Sequence, residues 1–305
     1  MSTILITGGS GMIGTVLSQF LTDKGHRVMI LSRKASGPDV AVWDPYRGIM
    51  DVEALQAADL IIHLAGAGVA DKRWTAARKK EIVESRVRSS ALIVNALQTI
   101  PNKVRAVISA SGIGWYGADP SLPNPHPFEE TDPVDGDFLG ETCRLWEESI
   151  TPVTTLGKRL VILRIGPVLN KKGGAFEAFR KPVRLGVAAI LGSGKQVMSW
   201  IHAEDLCRLF ERAMEDEQWS GVYNAVAPQP VDNRTLTLEL AKRLKGKYFV
   251  PVYVPSFILK MVLGGLSIEV LKSATVSARK VRKSGFQFLY PSIGAALDEL
   301  VRDRF

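Results

Sequence analysis

Residues 3–14 read TILITGGSGMIG, and this stretch decides the fold. An apolar run enters a glycine-rich turn, and apolar residues then recur at helical spacing at Val16, Leu17, Phe20 and Leu21. Glycines permit a sharp turn and a close approach of the backbone to a pyrophosphate, and the following helix N-terminus offers free N–H groups to that anion. The pattern predicts a strand–turn–helix unit that binds a dinucleotide; the alternative is a turn that serves packing alone. The residues predicted to bind the cofactor here are Gly8, Gly9, Ser10, Gly11, Met12, Ile13 and Gly14.

The second apolar strand, residues 26–31, ends without a carboxylate. A protein that uses NAD commonly has Asp or Glu at this place, where it binds the ribose 2′-hydroxyl. Here the residues are Ser32, Arg33 and Lys34, and a guanidinium suits a 2′-phosphate. We therefore predict NADP as the cofactor, with an ordinary exposed basic loop as the alternative.

Further apolar strands alternate with helical patterns, which is typical of a parallel sheet with helices on both faces. From about residue 228 prolines interrupt this alternation, so we expect an NADP-binding domain over residues 1–227 and a smaller C-terminal lobe over 228–305. Some segments within about 165–200 are expected to join that lobe. The predicted strands are 40–43, 60–64, 104–109, 160–164 and 221–225, and the predicted helices are 75–99, 140–156, 235–244 and one that starts at 256.

Composition narrows the class of protein. The chain is 46% hydrophobic and 23% charged, which is ordinary for a globular protein. Its net charge of +8 comes from dispersed basic residues without a nucleic-acid motif, so no nucleic-acid partner is expected. No signal peptide is expected, and the apolar run 257–266 is too short to span a bilayer, so no membrane partner is expected. Two cysteines, Cys143 and Cys207, suggest neither a disulfide framework nor a metal site and favour a reducing, cytoplasmic location.

Several motifs together resemble the extended, atypical short-chain dehydrogenase/reductase superfamily. The chain is most similar to its NAD-dependent epimerase/dehydratase-like, YfcH-like branch, which has a DUF1731 C-terminal extension. The resemblance implies a Rossmann-type doubly wound parallel sheet with a smaller C-terminal lobe. The motifs are TGGSGMIG, HLAGAG at 63–68, the run 72–86, ISASGIGWYG at 108–117, RIGPVL at 164–169, SWIHAEDL at 199–206 and GFQFLYPSIGAAL at 285–297.

The resemblance also implies roles for individual positions. Ser32 and Arg33 would meet the adenosine phosphate end of the cofactor, and Pro167 would lie near the nicotinamide. Backbone groups of the loop after the strand at 60–64 would line the cofactor, unless this loop only packs the strand end. The implied positions are Leu64, Ala65 and Gly66 in that loop, Glu81 and Arg86 along the groove, and Trp200 and His202 in the substrate-pocket wall. A surface ion pair is the alternative for Glu81 and Arg86, and a hydrogen-bonded structural histidine is the alternative for His202.

Residues 138–147, FLGETCRLWE, lack the tyrosine and lysine that catalyse proton transfer in this superfamily. The two slots hold Leu139 and Cys143, and neither side chain can replace a phenol or an ammonium. Shifting the register by one residue does not restore the pair. The remaining catalytic candidates are Ser111, at the place of the superfamily's active-site serine, and Tyr116, for which packing of the pocket floor is the alternative.

These observations predict an NADP(H)-binding, epimerase-like or atypical short-chain reductase that acts on an unknown small substrate. The alternative is a non-catalytic NADPH-binding sensor or scaffold that retains the groove without the catalytic pair.

Overall fold

The computed structural model describes residues 1–34 and 37–302. Its strands are β1 (Thr3–Thr7), β2 (Arg27–Ser32), β3 (Val40–Asp44), β4 (Ile49–Met50), β5 (Leu60–His63), β6 (Ala106–Gly112), β7 (Arg159–Ile165), β8 (Val168–Leu169), β9 (Val187–Leu191), β10 (Val197–Met198), β11 (Ile201–His202), β12 (Gly221–Ala225), β13 (Val231–Asp232) and β14 (Val250–Val254). The helices are α1 (Met12–Asp23), α2 (Val52–Ala57), α3 (Ala76–Thr99), α4 (Phe138–Ile150), α5 (Gly174–Arg184), α6 (Ala203–Glu215), α7 (Asn233–Lys245), α8 (Ser256–Leu263), α9 (Leu266–Leu271), α10 (Arg279–Lys283) and α11 (Ile293–Leu300).

Eight strands form one sheet in the order β12–β7–β6–β5–β1–β2–β3–β4, and only β4 runs antiparallel to its neighbour. This arrangement confirms the predicted doubly wound parallel sheet. The chain winds from β1 toward β3 and then crosses to β5 on the other side of β1. The order of the strands therefore reverses between β1 and β5, and this switch point opens a crevice at their carboxyl ends.

Side-chain alternation along the central strands builds a core on each face of the sheet. Ile4 and Ile6 of β1 pack in the cluster that includes residues of α1 and α6. Leu5, between them, packs in the opposite cluster with Leu92 and Ile93 of α3. Because both faces are covered, the central strands are continuously apolar.

A third core lies in the C-terminal lobe and combines two stretches of chain. Phe176, Val183 and Trp200 pack there with residues of α7 and α11. The segment near 165–200 thus packs with the C-terminal part of the chain, while the boundary at residue 227 stays a prediction. No helix in the described ranges has both the length and the apolar character needed to cross a membrane.

Two differences from the predicted elements have local causes. The helix predicted over 140–156 begins earlier, at Phe138, because the Asp137 carboxylate accepts a hydrogen bond from Gly140 N at 2.7 Å and caps it. It ends at Ile150, and residues 151–156 form a 3₁₀ helix with Pro152 in its first turn. The strands β9 and β14, which pair in parallel, were not predicted. In β14 the pattern was obscured by Pro251 within the strand and Pro255 directly after it.

Candidate functional site

In the glycine turn between β1 and the start of α1, three glycine positions have no room for a Cβ. Gly8 has a φ of 70°, a conformation that favours glycine, and its carbonyl accepts a hydrogen bond from Gly11 N at 3.0 Å. A Cβ on Gly9 would lie 2.7 Å from the Ile30 side chain, and one on Gly14 would lie 2.6 Å from the Gly9 Cα. Helix α1 begins directly after this turn without a side-chain cap, so its first N–H groups stay available to an anion.

Within the predicted cofactor stretch, the remaining three residues surround the start of α1. Ser10 is exposed in the turn, and Met12 and Ile13 are half-buried in the first helical turn. The geometry of the whole turn therefore fits a pyrophosphate.

The carboxyl end of β2 carries the predicted cations on the surface. Ser32 is the last residue of the strand, and Arg33 and Lys34 follow it as exposed side chains. The pKa of Glu81 is lowered, first by its hydrogen bond from Arg78 and then also by the positive charges of Lys72 and Arg33. Arg33 and Lys72, which are far apart in sequence, are therefore both close enough to Glu81 to act on its charge.

Thr7 ties the carboxyl end of β1 to the loop after β5. Its Oγ1 accepts hydrogen bonds from Leu64 N at 3.0 Å and from Ala65 N at 3.1 Å, and it lies 2.8 Å from His63 Nδ1. These two N–H groups are therefore already bonded to protein. A cofactor that passes this loop meets its other backbone groups and its surface.

His63 is buried and neutral. Burial, together with the positive charge of Arg86, lowers the pKa of His63 to about 3. Its Nε2 lies 3.1 Å from Ser90 Oγ and 3.3 Å from Ser89 Oγ on α3. The imidazole thus links β1, β5 and α3 directly beneath the crevice.

Arg86 lies under the glycine of the same loop. A Cβ on Gly66 would come within 2.9 Å of the Arg86 Cζ. Arg86 is only 8% exposed, and its Nη1 donates to Ala67 O at 3.0 Å and to Ile82 O at 2.9 Å. Within the described residues it forms no ion pair, and burial lowers its pKa to about 10.

The surface ion pair that was the alternative for both residues is therefore present for Glu81, whereas Arg86 forms none in the described residues. Glu81 pairs with Arg78, whose Nη1 lies 2.7 Å from Glu81 Oε2. The buried guanidinium of Arg86 keeps its charge at neutral pH, donates to two carbonyl oxygens and has its Cζ 4.8 Å from the centre of the Trp146 ring.

Ser111, at the carboxyl end of β6, belongs to a buried ionic network. Its Oγ donates to Glu147 Oε1 at 2.6 Å. Arg164 of β7 donates to the same carboxylate through Nε to Oε1 and through Nη2 to Oε2, both at 2.9 Å. Because the Ser111 hydrogen is directed at Glu147, the free side of its oxygen can only accept a hydrogen bond.

Tyr116 lies on the far side of that network and has no exposed surface. Its hydroxyl donates to Asn224 Oδ1 at 2.7 Å and accepts from Arg164 Nη1 at 3.1 Å. Its ring stacks on Phe128 at 5.3 Å, and burial raises the pKa of Tyr116 to about 12. This environment favours the packing alternative over the role of a proton donor.

The helix face that would hold the catalytic pair packs against glycine backbone. A Cβ on Gly114 would lie 2.9 Å from the Leu139 Cβ, and the Cys143 Sγ donates to Gly112 O at 3.5 Å. Burial raises the pKa of the Cys143 thiol to about 11, so it is not a thiolate nucleophile. Leu139 and Cys143 fill space, and neither side chain exchanges a proton near neutral pH.

Pro167 is half-buried just beyond β7, where its carbonyl accepts from Ile201 N at 3.1 Å. The two pocket-wall candidates are held inside the lobe. Trp200 has no exposed surface and donates through Nε1 to Gln229 O at 3.1 Å. His202 accepts from Glu204 N at 3.2 Å as the cap of α6, and its Nε2 lies 2.9 Å from Glu299 Oε2. These contacts favour packing for Trp200 and the structural alternative for His202.

Two protein-family models match separate parts of the chain, and together these parts make up most of it. The NAD dependent epimerase/dehydratase family matches residues 4–142, and a domain of unknown function, DUF1731, matches residues 254–300. YfhF of Bacillus subtilis (strain 168), an epimerase family protein, is 33% identical over 305 residues, which cover 99% of this chain and 98% of YfhF. The chain belongs to the NAD dependent epimerase/dehydratase family.

Solved structures give the same result for this epimerase-family protein. The crystal structure of human epimerase family protein SDR39U1 with NADPH has a TM-score of 0.87 and 31% identity, and the match covers 99% of both chains. A nucleoside-diphosphate sugar epimerase from Corynebacterium glutamicum has a TM-score of 0.79 and 29% identity, covering 98% of this chain and 58% of that one.

Sequence reasoning missed the buried partners of the site. No role was predicted for Thr7, His63, Glu147, Arg164 or Asn224, although all of them except Asn224 lie inside the quoted stretches. One signal was present for Glu147: it follows Cys143 by four residues, which places both on one face of a helix. The pairings themselves join residues of different elements, from 17 to 108 positions apart, and a linear pattern does not reveal them.

Proposed function

We propose that this epimerase-family protein binds NADP(H) across the carboxyl ends of β1, β2 and β5. The glycine turn carries the proposal, because Gly8, Gly9 and Gly14 leave no space for a Cβ and face an uncapped helix N-terminus. Arg86, a buried cation with no carboxylate partner in the described ranges, supports it further, since a cofactor phosphate would supply the missing negative charge nearby.

The preference for NADP over NAD rests on the adenosine end. Arg33 and Lys34 follow β2 where a ribose-binding acid would stand, and Lys72 adds a third positive charge. Glu81 lies among these cations, but its carboxylate is bonded to Arg78. The human relative that was crystallised with NADPH is consistent with this preference.

The test is cofactor affinity. NADPH should bind at least about tenfold more tightly than NADH, because a charge-assisted hydrogen bond is worth roughly 1.5–3 kcal/mol. Arg33→Asp should remove or reverse the difference in a fluorescence titration. Arg27→Asp, an exposed cation at the opposite end of the same strand, should leave it unchanged. Equal affinities of the unmodified protein for NADPH and NADH would contradict the proposal.

We propose further that the protein is an atypical short-chain reductase or epimerase-like enzyme acting on a small substrate. The bound nicotinamide would supply or accept the hydride. On the protein side, Ser111 would accept a hydrogen bond from a substrate hydroxyl, with Glu147 and Arg164 fixing its orientation. Because Leu139 and Cys143 carry no usable proton, the proton would be exchanged with solvent or within the substrate.

The sensor or scaffold alternative is favoured by one observation: the polar groups around Ser111 and Tyr116 already satisfy each other. Loss of NADPH absorbance with a panel of carbonyl compounds separates the two, and product analysis with sugar nucleotides covers a redox-neutral epimerase. In an enzyme, Ser111→Ala should reduce turnover while NADPH affinity stays constant. NADPH binding without any turnover in both assays would favour the sensor.

The state of the two cysteines bears on the cellular compartment of the protein. Cys143 and Cys207 are both free and buried. We infer a reducing compartment such as the cytoplasm, where unpaired thiols persist. Expression of a tagged form in cells of the source organism, followed by cell fractionation and detection of the tag in each fraction, tests this location.

A further inference from the structure

Exposed apolar side chains are concentrated in one part of the C-terminal lobe. Of the fifteen large hydrophobic side chains that are exposed in the described residues, eight lie between positions 248 and 268. Helix α8 is the extreme case, because Leu259 is its only buried residue while Phe257 is 69% exposed and Met261 66% exposed. A helix of this length gains its stability from packing of its apolar face, and here most of that face meets water.

These side chains follow one another on β14 and α8, and Leu185 lies beside them just before β9. Strand β14 pairs on one side with β9, and Val250 N donates to Gly186 O at 2.8 Å, which brings Tyr248 beside Leu185. Helix α8 follows β14 after Pro255 alone. We call the set the basic apolar surface; its apolar members are Leu185, Tyr248, Val250, Val252, Tyr253, Phe257, Met261 and Val262.

The charged residues within the two chain segments that carry this surface all have one sign. Segments 181–187 and 245–268, which carry it, contain no Asp or Glu and five cations, namely Lys181, Arg184, Lys245, Lys247 and Lys260. None of these five forms an ion pair within the described part of the chain. The acids closest in sequence are occupied, since Glu239 pairs with Lys242 and Arg243, Glu269 pairs with Lys272, and Glu177 pairs with Arg180.

We propose, contrary to the expectation from the sequence of no membrane partner, that the basic apolar surface binds the surface of an anionic lipid bilayer. Aromatic and aliphatic side chains on a short helix and an adjoining strand would enter the headgroup region, and the five cations would meet anionic headgroups. A second copy of the chain fits less well, because a twofold-symmetric interface would bring the same unpaired cations of both copies together. The proposal is independent of the cofactor and of any turnover.

The experiment is co-sedimentation of the full chain with vesicles. The protein should bind vesicles of phosphatidylcholine with phosphatidylserine, bind phosphatidylcholine vesicles far less, and be released by high salt. Lys245→Glu/Lys247→Glu/Lys260→Glu should lower the partition coefficient at least about tenfold, since each cation near an anionic surface contributes about fivefold. Phe257→Ser/Met261→Ser should also lower it.

Control variants use exposed apolar and basic residues elsewhere on the protein. Tyr46→Ser/Leu289→Ser and the charge reversal Arg47→Glu/Arg282→Glu/Lys283→Glu should bind like the unmodified protein. NADPH affinity and melting temperature verify that each variant is folded. Absence of binding to anionic vesicles, or equal loss in the control variants, refutes the proposal. A dimer in sedimentation velocity that Phe257→Ser/Met261→Ser dissociates, without vesicle binding, would assign the surface to self-association instead.

Discussion

Arg86 brings a positive charge into the floor of the crevice without a carboxylate to balance it in the described ranges. The side chain is held by the carbonyls of Ala67 and Ile82, and Gly66 rests directly on it. Burying an unpaired cation is costly in the absence of a ligand. At the scale of the residue, we therefore propose that the site accepts an anion and that Arg86 both supports the loop and attracts this ligand.

Replacement of this residue should affect both stability and binding. Arg86→Ala removes two hydrogen bonds to buried carbonyls, so the free energy of unfolding should fall by about 1–3 kcal/mol. NADPH affinity should fall as well, because the loop at Gly66 loses its support. Urea unfolding and a cofactor titration measure the two effects.

Arg88→Ala is the matched control on the same helix. Arg88 is exposed and pairs with Glu84 at 3.7 Å, so its removal should cost at most about 1 kcal/mol and leave cofactor affinity unchanged. If Arg86→Ala and Arg88→Ala behaved identically, this would contradict the proposal that Arg86 supports the cofactor groove.

At the scale of elements, the crevice is held together by buried polar links between strands and helices. His63 joins β1, β5 and α3, and the Glu147–Arg164 pair joins α4 to β7. His63 lies at the carboxyl end of β5, beside the switch point, whereas Arg164 lies on β7, two strands farther along the sheet. A rigid support of this kind keeps the turn and the loop after β5 at a fixed separation.

The link through His63 predicts a pH dependence of stability. Its pKa is lowered to about 3 in the folded protein, whereas the unfolded chain titrates near the usual 6.5. Between these values the unfolded state binds more protons, so the free energy of unfolding should fall as the pH falls through this window. The slope from one such histidine is at most about 1.4 kcal/mol per pH unit.

His63→Gln should flatten this part of the stability curve, and the measurement is urea unfolding at a series of pH values. His126→Gln, at an exposed position, should leave the slope as it is. His202, whose pKa burial also lowers, contributes in the same direction and stays constant in both variants. An unaltered slope in His63→Gln would mean that the imidazole titrates normally.

At the scale of the whole molecule, an extended segment at 273–277 joins the C-terminal extension to the rest of the fold by hydrogen bonds. Thr275 O accepts from Phe128 N, and Ser277 N donates to Phe128 O, both at 2.8 Å. Asp119 anchors the crossing: its carboxylate accepts from Ser273 Oγ, Thr275 Oγ1, Thr275 N and Asn124 Nδ2 at 2.8–2.9 Å. The extension thus packs as part of one molecule.

Asp119→Asn should loosen that junction, because an amide cannot accept all four hydrogen bonds and leaves buried donors unpaired. We expect a loss of about 1–3 kcal/mol in the free energy of unfolding. Protease cleavage within 254–300 should become faster. Asp39→Asn, an exposed acid beside β3, should change neither quantity; an intact junction in Asp119→Asn would show that the extension is held by its apolar contacts alone.

The sequence by itself determined the layered sheet, the glycine turn and the basic end of β2. Each depends on a local pattern. The patterns are the alternation of apolar strands with helical segments, the spacing of the glycines, and the absence of a carboxylate after a strand. The missing tyrosine and lysine in α4 were equally visible, because their positions follow from helix spacing.

Only the tertiary structure decided which side chains meet. Arg86 and Glu81 share a helix five residues apart, yet one is buried under Gly66 and the other pairs with Arg78 at the surface. Tyr116 follows a strand that points at the crevice, but Asn224 and Arg164, from two other strands, enclose its hydroxyl. Burial and long-range hydrogen bonding depend on elements that the chain brings together only on folding, and these set the charge state and the role of each group.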